Sequence, residues 1–323
     1  MDALSKAGRS VDRFQRRRPW LAFPFAVVKK FGDDQAGNLA ALVAYYGFFS
    51  LFPLLLVFVT ILGMALRGNT ALQQRVVDSA LAKFPVIGTQ ISSNVHSLKG
   101  SGLALFIGVA LTLWAGLGVL KVMQTAMNTV WNVPYRYRPN FVRSTLRAAI
   151  MLVVLGVMTL ASATAGSVGT GAGTWWSAIL GILISLALNL VLFMLAFRIL
   201  TIENVSWGDV LPGAGIGAVA WTILQAVGGY YVGHELKGAS ETYGTFATVI
   251  GLLAWIYLGA QVTLLAAEVN VVKKQKLWPR ALIQPPLTEA DERALTRYAR
   301  QEQRRPEESV DIRIEDQASS RRD

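Results

Sequence analysis

The stretch LVAYYGFFSLFPLLLVFV, residues 42–59, contains no charged side chain, yet it carries two tyrosines, a glycine, a serine and a proline. A helix needs about 20 mostly apolar residues to cross the hydrocarbon core of a membrane. Together with its apolar neighbours this stretch reaches that length, and Pro53 falls near its middle. The stretch therefore predicts a membrane-spanning helix, and the proline inside it needs an explanation.

The composition of the whole chain is typical of a membrane protein. Of its 323 residues, 53% are hydrophobic and 16% are charged, and the mean hydropathy is +0.42, whereas soluble domains carry about 25% charged residues. The chain has no cysteine and only two histidines. Disulfides, thiolate nucleophiles and cysteine-bound metals are therefore excluded, and we expect no metal and no other cofactor.

Six apolar stretches are long enough to cross a membrane. Polar or glycine-rich segments separate them, as expected for the turns between spans. The sequence therefore predicts an all-α membrane protein with a bundle of six transmembrane helices. The predicted spans cover about residues 39–65, 102–123, 145–167, 175–199, 210–232 and 246–269.

Lysine and arginine concentrate on one side of this predicted bundle. Eight of them precede the first span, whereas the loops on the opposite side hold five. Cytoplasmic loops of membrane proteins carry the excess of basic residues. We therefore expect both termini in the cytoplasm. Topology explains most of the net charge of +11, and we expect no nucleic-acid partner.

The predicted chain has three parts. Residues 1–37 form a basic cytoplasmic arm, residues 38–272 the six-helix domain, and residues 273–323 a charged cytoplasmic tail that we expect to be largely disordered. Within the tail, Thr288 and Asp291 stand at capping-box spacing and predict the start of a short helix. In the arm we expect Trp20 at headgroup level and the basic residues against anionic lipid headgroups. The alternative is a disordered basic arm that only sets the topology. Between the first two spans, residues 67–100 show helical spacing and predict a helical extracytoplasmic loop.

Polar residues inside the predicted spans are the first candidates for a functional site, because placing them in lipid is costly. In the first span these are Tyr45, Tyr46, Ser50 and Pro53. Proline removes a backbone hydrogen bond and bends a helix. Interrupted helices at mid-depth are typical of transporters, and a bend that serves only packing is the alternative. We expect these four residues to shape a cavity at mid-depth.

A second set of polar residues lies toward the predicted cytoplasmic ends of spans two and six. Lys121 and Glu268 fall at similar depths, so they could form an ion pair. The alternative is a lysine that extends to the interface and a glutamate already there. Asn128 and Asn270 lie further toward the cytoplasm. We expect Asn128, Glu268 and Asn270 to line the inner mouth of the cavity.

Hydrolytic chemistry has no support in the sequence. The patterns G-x-S-x-G, H-E-x-x-H and the phosphate-binding P-loop are all missing from it. The acidic residues on the predicted cytoplasmic side lie mainly in the tail, where nothing would hold a metal geometry. We therefore expect no catalytic residues and no enzymatic activity.

Four segments carry a resemblance to a known family. They are AYYGFFSLFPLLL (44–56), QTAMNTVW (124–131), DVLPGA (209–214) and YGTFATVIGLLAWIYLGAQVTLLAAEVN (243–270). Through them the chain resembles the YihY/BrkB-type bacterial inner-membrane proteins over most of its length. The resemblance implies six helices with both termini in the cytoplasm, and it implies a location in the bacterial cytoplasmic (inner) membrane. Members have carried the label ribonuclease BN, and movement of lipids or lipid-linked precursors has been proposed for some relatives.

We interpret the chain as a transporter or flippase-like protein for a lipid or another amphipathic envelope substrate. The alternative is a non-transporting membrane scaffold for envelope assembly. A membrane-anchored nuclease is disfavoured, because nuclease chemistry needs positioned acids, histidines or metals. Membrane lipids are the expected partners, and the sequence is compatible with a homo-oligomer.

Overall fold

The computed structural model describes residues 10–65, 102–170, 175–234 and 236–313, and these residues contain helices and irregular segments but no strand. This confirms the predicted all-α class. The predicted helical loop over 67–100 lies outside the described residues. The helices are α1 (Pro19–Asp33), α2 (Ala36–Ala65), α3 (Gly102–Val130), α4 (Phe141–Thr170), α5 (Trp175–Leu200), α6 (Trp207–His234), α7 (Leu236–Lys274) and α8 (Glu289–Gln301).

Four of these helices, α4 to α7, are long and apolar enough to cross a membrane within the described residues. The helices α2 and α3 contain 30 and 29 residues and coincide with the first two predicted spans. The described chain is thus a membrane protein with several apolar helices. Six crossings with both termini in the cytoplasm stay a prediction. The four apolar segments are Phe141–Met158, Ile179–Leu200, Trp207–Gly228 and Val249–Lys274.

The six long helices α2 to α7 form a bundle in which the first and the last helix also contact each other. Each of α2 to α6 packs against the next helix in the chain, and α7 packs against α2, while α3 also touches α5 and α7. At one end of this bundle α1 packs against α7. The loops 131–140 and 201–206 and the residues that follow α7 meet at the same end. We call this end the basal end, and residues 10–35 and 275–303 the basal layer.

Exposed apolar side chains follow one face of α6. Ile216, Val219, Ile223 and Val227 recur every three or four residues and are between 48% and 59% exposed. A helix places residues at this spacing on a single face. A continuous apolar face of this kind suits contact with lipid. The same spacing occurs on α4 at the exposed residues Leu146, Ile150, Val153 and Val157.

The helices α6 and α7 approach each other most closely at Gly213. A Cβ at this position would lie 2.1 Å from the carbonyl oxygen of Ala266 and 2.5 Å from Oδ1 of Asn270. The backbone N–H of Gly213 donates to that Oδ1 at 2.7 Å. Small residues let membrane helices pack backbone to backbone. Glycine is therefore required at this crossing.

Residues 275–303 differ from the largely disordered tail expected from the sequence. Helix α8 begins with a capping box, in which Thr288 and Asp291 each accept a hydrogen bond from the backbone N–H of the other. The buried Asp291 carboxylate also binds Nε of Arg280 at 2.5 Å and the N–H of Ala281 at 2.9 Å. The helix start predicted at Thr288 and Asp291 is thus confirmed, and the ion pair of Asp291 with Arg280 becomes buried on folding.

The N-terminal arm also docks on the bundle through one face. In α1 the residues Ala22, Ala26, Val27 and Lys30 are buried, and the helix packs against α7. On its other side Trp20 is 66% exposed. A disordered arm is therefore wrong for α1, and Trp20 remains available for the predicted contact with headgroups.

The two ends of the described chain bind each other within the basal layer. Oδ1 of Asp12 accepts the backbone N–H of Leu282 at 2.8 Å. Nε2 of Gln15 donates to the carbonyl oxygen of Arg280 at 2.7 Å. Asp12 and Gln15 are both buried. The residues before α1 and those after α7 thus form one folded unit.

The variant Asp291→Asn is expected to loosen the basal layer. Burial alone would raise the pKa of Asp291, but hydrogen bonds from Arg280, Ala281 and Thr288 hold this pKa well below its usual range. A lowered carboxyl pKa stabilises the fold above the unfolded value of about 4, and this contribution is lost as the pH falls further. Hydrogen exchange of residues 275–303 should therefore accelerate at pH 7 in the variant, and in the wild type only below about pH 4.

The matched control for this prediction is Glu292→Gln. Glu292 is the exposed neighbour of Asp291 in the first turn of α8. Its neutralisation should leave hydrogen exchange of residues 275–303 close to the wild-type rate. Equal acceleration in both variants would show that general loss of charge, and not the buried Asp291 carboxylate, controls the basal layer.

Candidate functional site

Three charged side chains lie buried where α1 meets α7. Lys30 and Glu268 both have 0% of their surface exposed. Nζ of Lys30 lies 2.5 Å from Oδ2 of Asp34 and 3.4 Å from Oε2 of Glu268. The same nitrogen donates to the carbonyl oxygen of Val130, at the end of α3, at 2.8 Å. We call Lys30, Asp34 and Glu268 the buried triad.

The break between α1 and α2 positions Asp34. Helix α1 ends at Asp33, and the N–H of Asp34 still bonds the carbonyl oxygen of Lys30 at 2.9 Å. Gln35 then adopts the left-handed backbone conformation, with φ of 51°, and α2 begins at the next residue. Asp34 therefore lies one helical turn after Lys30 on the same side of the helix. The chain changes direction directly after Asp34.

The buried triad leaves several polar atoms without partners. Both carboxylate oxygens of Glu268 and Oδ1 of Asp34 make no hydrogen bond within the part of the chain that the structure describes. The ring of Tyr298 lies over Lys30, with its centre 5.6 Å from Nζ. Burial, together with Asp34, Asp33 and Glu268, raises the pKa of Tyr298 above its ordinary value. Its hydroxyl is therefore a neutral donor beside the acids.

The partner of Glu268 is Lys30 and not Lys121, which the sequence suggested. Nζ of Lys121 lies 3.9 Å from the ring centre of Phe141, a side chain that is 75% exposed. The sequence does hold a signal for Lys30. It follows the buried Ala26 at the spacing of one helical face, so a lysine on an otherwise apolar face marks it as a buried charge.

Asn128 and Asn270 reach the basal end as expected, but they bind backbone there. Oδ1 of Asn128 accepts the N–H of Ile202 at 3.2 Å, and Oδ1 of Asn270 accepts that of Gly213 at 2.7 Å. Both asparagines are buried, as is Glu268. The three residues predicted to line an inner mouth therefore belong to a packed basal end in this conformation.

Tyr45 and Tyr46 lie on an exposed face of α2. They are 56% and 42% exposed, and Leu42 and Phe49, which share this face at helical spacing, are 44% and 57% exposed. The rings of Tyr45 and Phe49 are in contact, with centres 4.9 Å apart. The face combines two phenol hydroxyls with apolar surface. We call these four residues the aromatic face of α2.

Ser50 and Pro53 extend this region of α2. Ser50 is buried, and its hydroxyl donates to the carbonyl oxygen of Gly47 at 2.8 Å. The hydroxyl of Ser50 thus satisfies a carbonyl of its own helix turn. The backbone of Pro53 lies within α2, while its side chain lies outside the described residues. The bend at Pro53 and its role in a cavity stay predictions.

Comparison with known proteins places the chain among membrane proteins. The family described as "Virulence factor BrkB" matches residues 27–288, a range that contains the whole buried triad. A UPF0761 membrane protein of Stenotrophomonas maltophilia is 27% identical over 286 residues, which cover 84% of this chain and 65% of that protein. The chain thus spans slightly less than two thirds of the length of that relative.

Two further relatives are matched over most of their own length. The inner membrane protein YhjD of Escherichia coli is 22% identical over 302 residues, covering 86% of this chain and 88% of that protein. The putative ribonuclease-like protein YfkH of Bacillus subtilis is 26% identical over 276 residues, covering 80% of this chain and 98% of that protein. No solved structure matches the chain.

Proposed function

The chain belongs to the Virulence factor BrkB family, and from this premise we propose that it moves a lipid or another amphipathic envelope molecule across a bacterial inner membrane. One relative is named an inner membrane protein, which supports this location. The observation that carries the proposed activity is the aromatic face of α2.

In our proposal the hydroxyl groups of the aromatic face lie within the hydrocarbon region of the membrane. Tyrosine is normally enriched at the interface. Tyr45, however, follows the first residue of α2, Ala36, by a length of about 14 Å along the helix. This is close to half of the roughly 30 Å hydrocarbon thickness. Phenol hydroxyls beside apolar side chains can bind a polar headgroup and an acyl chain together, which suits an amphipathic substrate.

The exposed surface continues from α2 onto α3. Gly118 of α3 lies beside Tyr46, since a Cβ at Gly118 would be in ordinary van der Waals contact with the Tyr46 ring, at 3.8 Å. One turn earlier, Trp114 is 78% exposed. The two helices therefore present aromatic side chains along their shared boundary. The packed basal end closes one end of the bundle, and transport requires this end to open during the cycle.

Lipid movement in liposomes tests the proposal. Reconstituted protein is expected to speed the exchange of fluorescent lipids between leaflets, measured with a quencher that cannot cross the membrane. The double variant Tyr45→Phe/Tyr46→Phe removes both hydroxyls and keeps both rings. We expect it to be roughly tenfold slower, since each lost hydrogen bond costs about 0.5–1.5 kcal/mol.

The control variant Thr296→Val removes a hydroxyl elsewhere. Thr296 lies on α8, where its hydroxyl donates to the carbonyl oxygen of Glu292 in the same helix at 2.8 Å, so the lipid-exchange rate of this variant should stay at the wild-type level. Because the chain has no cysteine, a single cysteine at the exposed Ser309 reports the orientation of the protein in the same liposomes. Unchanged leaflet distribution across zwitterionic, anionic and isoprenoid-linked lipids would count decisively against transport.

A non-transporting scaffold for envelope assembly is the second candidate. The observation that favours it is the packed basal end, where the polar residues Asn128 and Asn270 bind backbone groups of neighbouring segments. A scaffold should leave lipid exchange unchanged in every liposome of the panel. The lipid experiment therefore separates the two functions.

Anionic lipid headgroups are the partners that we propose for the basal end. Each of five exposed aromatic rings there has a cationic side chain over it, between 3.9 and 4.5 Å from the ring centre. Aromatic rings and cations suit the level between hydrocarbon and anionic headgroups. The pairs are Arg18 with Phe14, Lys121 with Phe141, Arg136 with Tyr137, Arg138 with Tyr135, and Arg198 with Trp207.

A further inference from the structure

The buried triad sets two carboxyl groups against one ammonium group. Lys30 and Glu268 are fully buried, and the side chain of Asp34 is 1% exposed. With both acids ionised, this closed site would hold a negative charge without a partner, which is costly away from water. We propose that the buried triad is a proton-binding site, in which Glu268 carries one exchangeable proton beside Lys30 and Asp34.

The number of hydrogen-bond donors supports this assignment. The Lys30 ammonium donates to Oδ2 of Asp34 at 2.5 Å and to the carbonyl oxygen of Val130 at 2.8 Å, whereas Oε2 of Glu268 lies farther away, at 3.4 Å. Both carboxylate oxygens of Glu268 and Oδ1 of Asp34 make no hydrogen bond among the described residues. A proton on one carboxyl would supply the missing donor and would also balance the charge.

Other charged groups near the buried triad are engaged elsewhere. Helix α2 contains no charged residue, and the single charged residue of α3 is Lys121, which stacks on Phe141. Helix α8 contributes the neutral Tyr298 hydroxyl. The nearby cations of α1, α7 and the segment before α8 bind acids outside the triad. These ion pairs are Lys29 with Asp291, Lys274 with Asp209, and Arg280 with Asp33 and Asp291.

Tyr298 packs over the buried triad, with the centre of its ring 5.6 Å from Nζ of Lys30. The residue is partly exposed, whereas its hydroxyl oxygen is buried and makes no hydrogen bond within the described chain. In our proposal a proton arrives from water at the basal end, passes Tyr298 and binds a carboxylate oxygen. On release the same O–H bond breaks, and the proton returns to water as hydronium.

This site would make transport proton-dependent, a part of the inference that rests on the proposed function. Loss of the proton leaves an unbalanced negative charge between α1 and α7. That charge weakens the contact between the two helices and favours opening of the basal end. Uptake of a proton restores the packed state.

Infrared difference spectroscopy of the full-length protein in liposomes tests proton binding directly. As the pH is changed, the wild type should show a C=O band of a protonated carboxyl that appears and disappears. We expect this band to vanish or shift in Glu268→Gln and in Asp34→Asn, each of which leaves one acid beside Lys30. Glu289→Gln is the control, because this residue is highly exposed, with 89% of its side chain accessible.

Thermal unfolding in detergent provides the second measurement. Because the folded triad holds a proton that the unfolded chain releases, the wild-type Tm should fall as the pH rises. The Tm of Glu268→Gln and Asp34→Asn should lose this dependence. A carboxyl band that is missing in the wild type, or present and unchanged in both variants, would overturn the proposal.

These two measurements do not depend on lipid movement. A titrating triad in a protein that moves no lipid would retain the proton site and reject the proposed transport. Lipid exchange at a rate that is independent of pH, in a protein with a titrating triad, would reject the coupling alone. Lipid exchange without a titrating triad would retain transport and reject the proton site.

Discussion

The variant Gly213→Ala is expected to prevent stable folding of the bundle. Its Cβ would come within 2.1 Å of the Ala266 carbonyl oxygen, a backbone atom that cannot rotate away. The helices α6 and α7 would have to separate, which would break the bond from the Gly213 N–H to Asn270. Overpacking and a buried N–H without a partner together cost about 2–6 kcal/mol. The yield of monodisperse protein and its Tm in detergent measure this loss.

Gly215→Ala is the matched control for that prediction. Gly215 lies two residues further along α6, and a Cβ there would meet nothing within 4 Å. Alanine favours a helix over glycine by up to about 1 kcal/mol, so this variant should be as stable as the wild type or more so. Equal losses at both positions would contradict the close approach of α6 and α7, as would a fully stable Gly213→Ala protein.

Lys30→Met should destabilise the protein by about 3–5 kcal/mol at neutral pH, because it leaves buried acids without their cation. Methionine preserves most of the length of the side chain, so the effect arises from charge. The triple variant Lys30→Met/Asp34→Asn/Glu268→Gln should recover most of the loss, since replacing a whole buried ion cluster by neutral groups is often tolerated. Thermal or denaturant unfolding in detergent measures the stability of the single and of the triple variant.

Lys273→Met serves as the control for Lys30→Met. Lys273 is an exposed lysine near the end of α7, and its replacement should change stability by no more than about 0.5 kcal/mol. If Lys30→Met were as stable as this control, the triad would have no electrostatic role in joining α1 to α7. A triple variant no more stable than Lys30→Met would assign the loss to packing instead.

The helices were predictable because their signal is local. Apolar stretches long enough for a membrane can be recognised from neighbouring residues alone, and the helices α2 to α7 coincide with the six stretches. The buried triad was not predictable in this way. Lys30 and Glu268 are far apart in sequence, and Lys30 stands among many basic residues of the arm. Which of them becomes buried depends on the packing of α1 against α7.

The asparagines illustrate a second limit of the sequence. An amide within an apolar helix predicts either a lining residue or a structural hydrogen bond, and the residue type is the same in both cases. Asn270 accepts from Gly213, which lies on another helix. Only the close crossing of α6 and α7 decides between the two roles. The same holds for Asp291, whose spacing to Thr288 predicts a helix cap, while its buried contacts with Arg280 and Ala281 depend on the folded basal layer.

The folded unit made by the two ends of the chain has a consequence for biosynthesis. Asp12 and Gln15 leave the ribosome long before their partners Leu282 and Arg280. Lys30 likewise leaves the ribosome before Glu268 of α7, with which it forms an ion pair. The basal layer can therefore close only after the last long helix has been synthesised. A chain that stops early would keep an unpaired lysine and an undocked α1, and quality-control proteases could recognise these as marks of an unfinished protein.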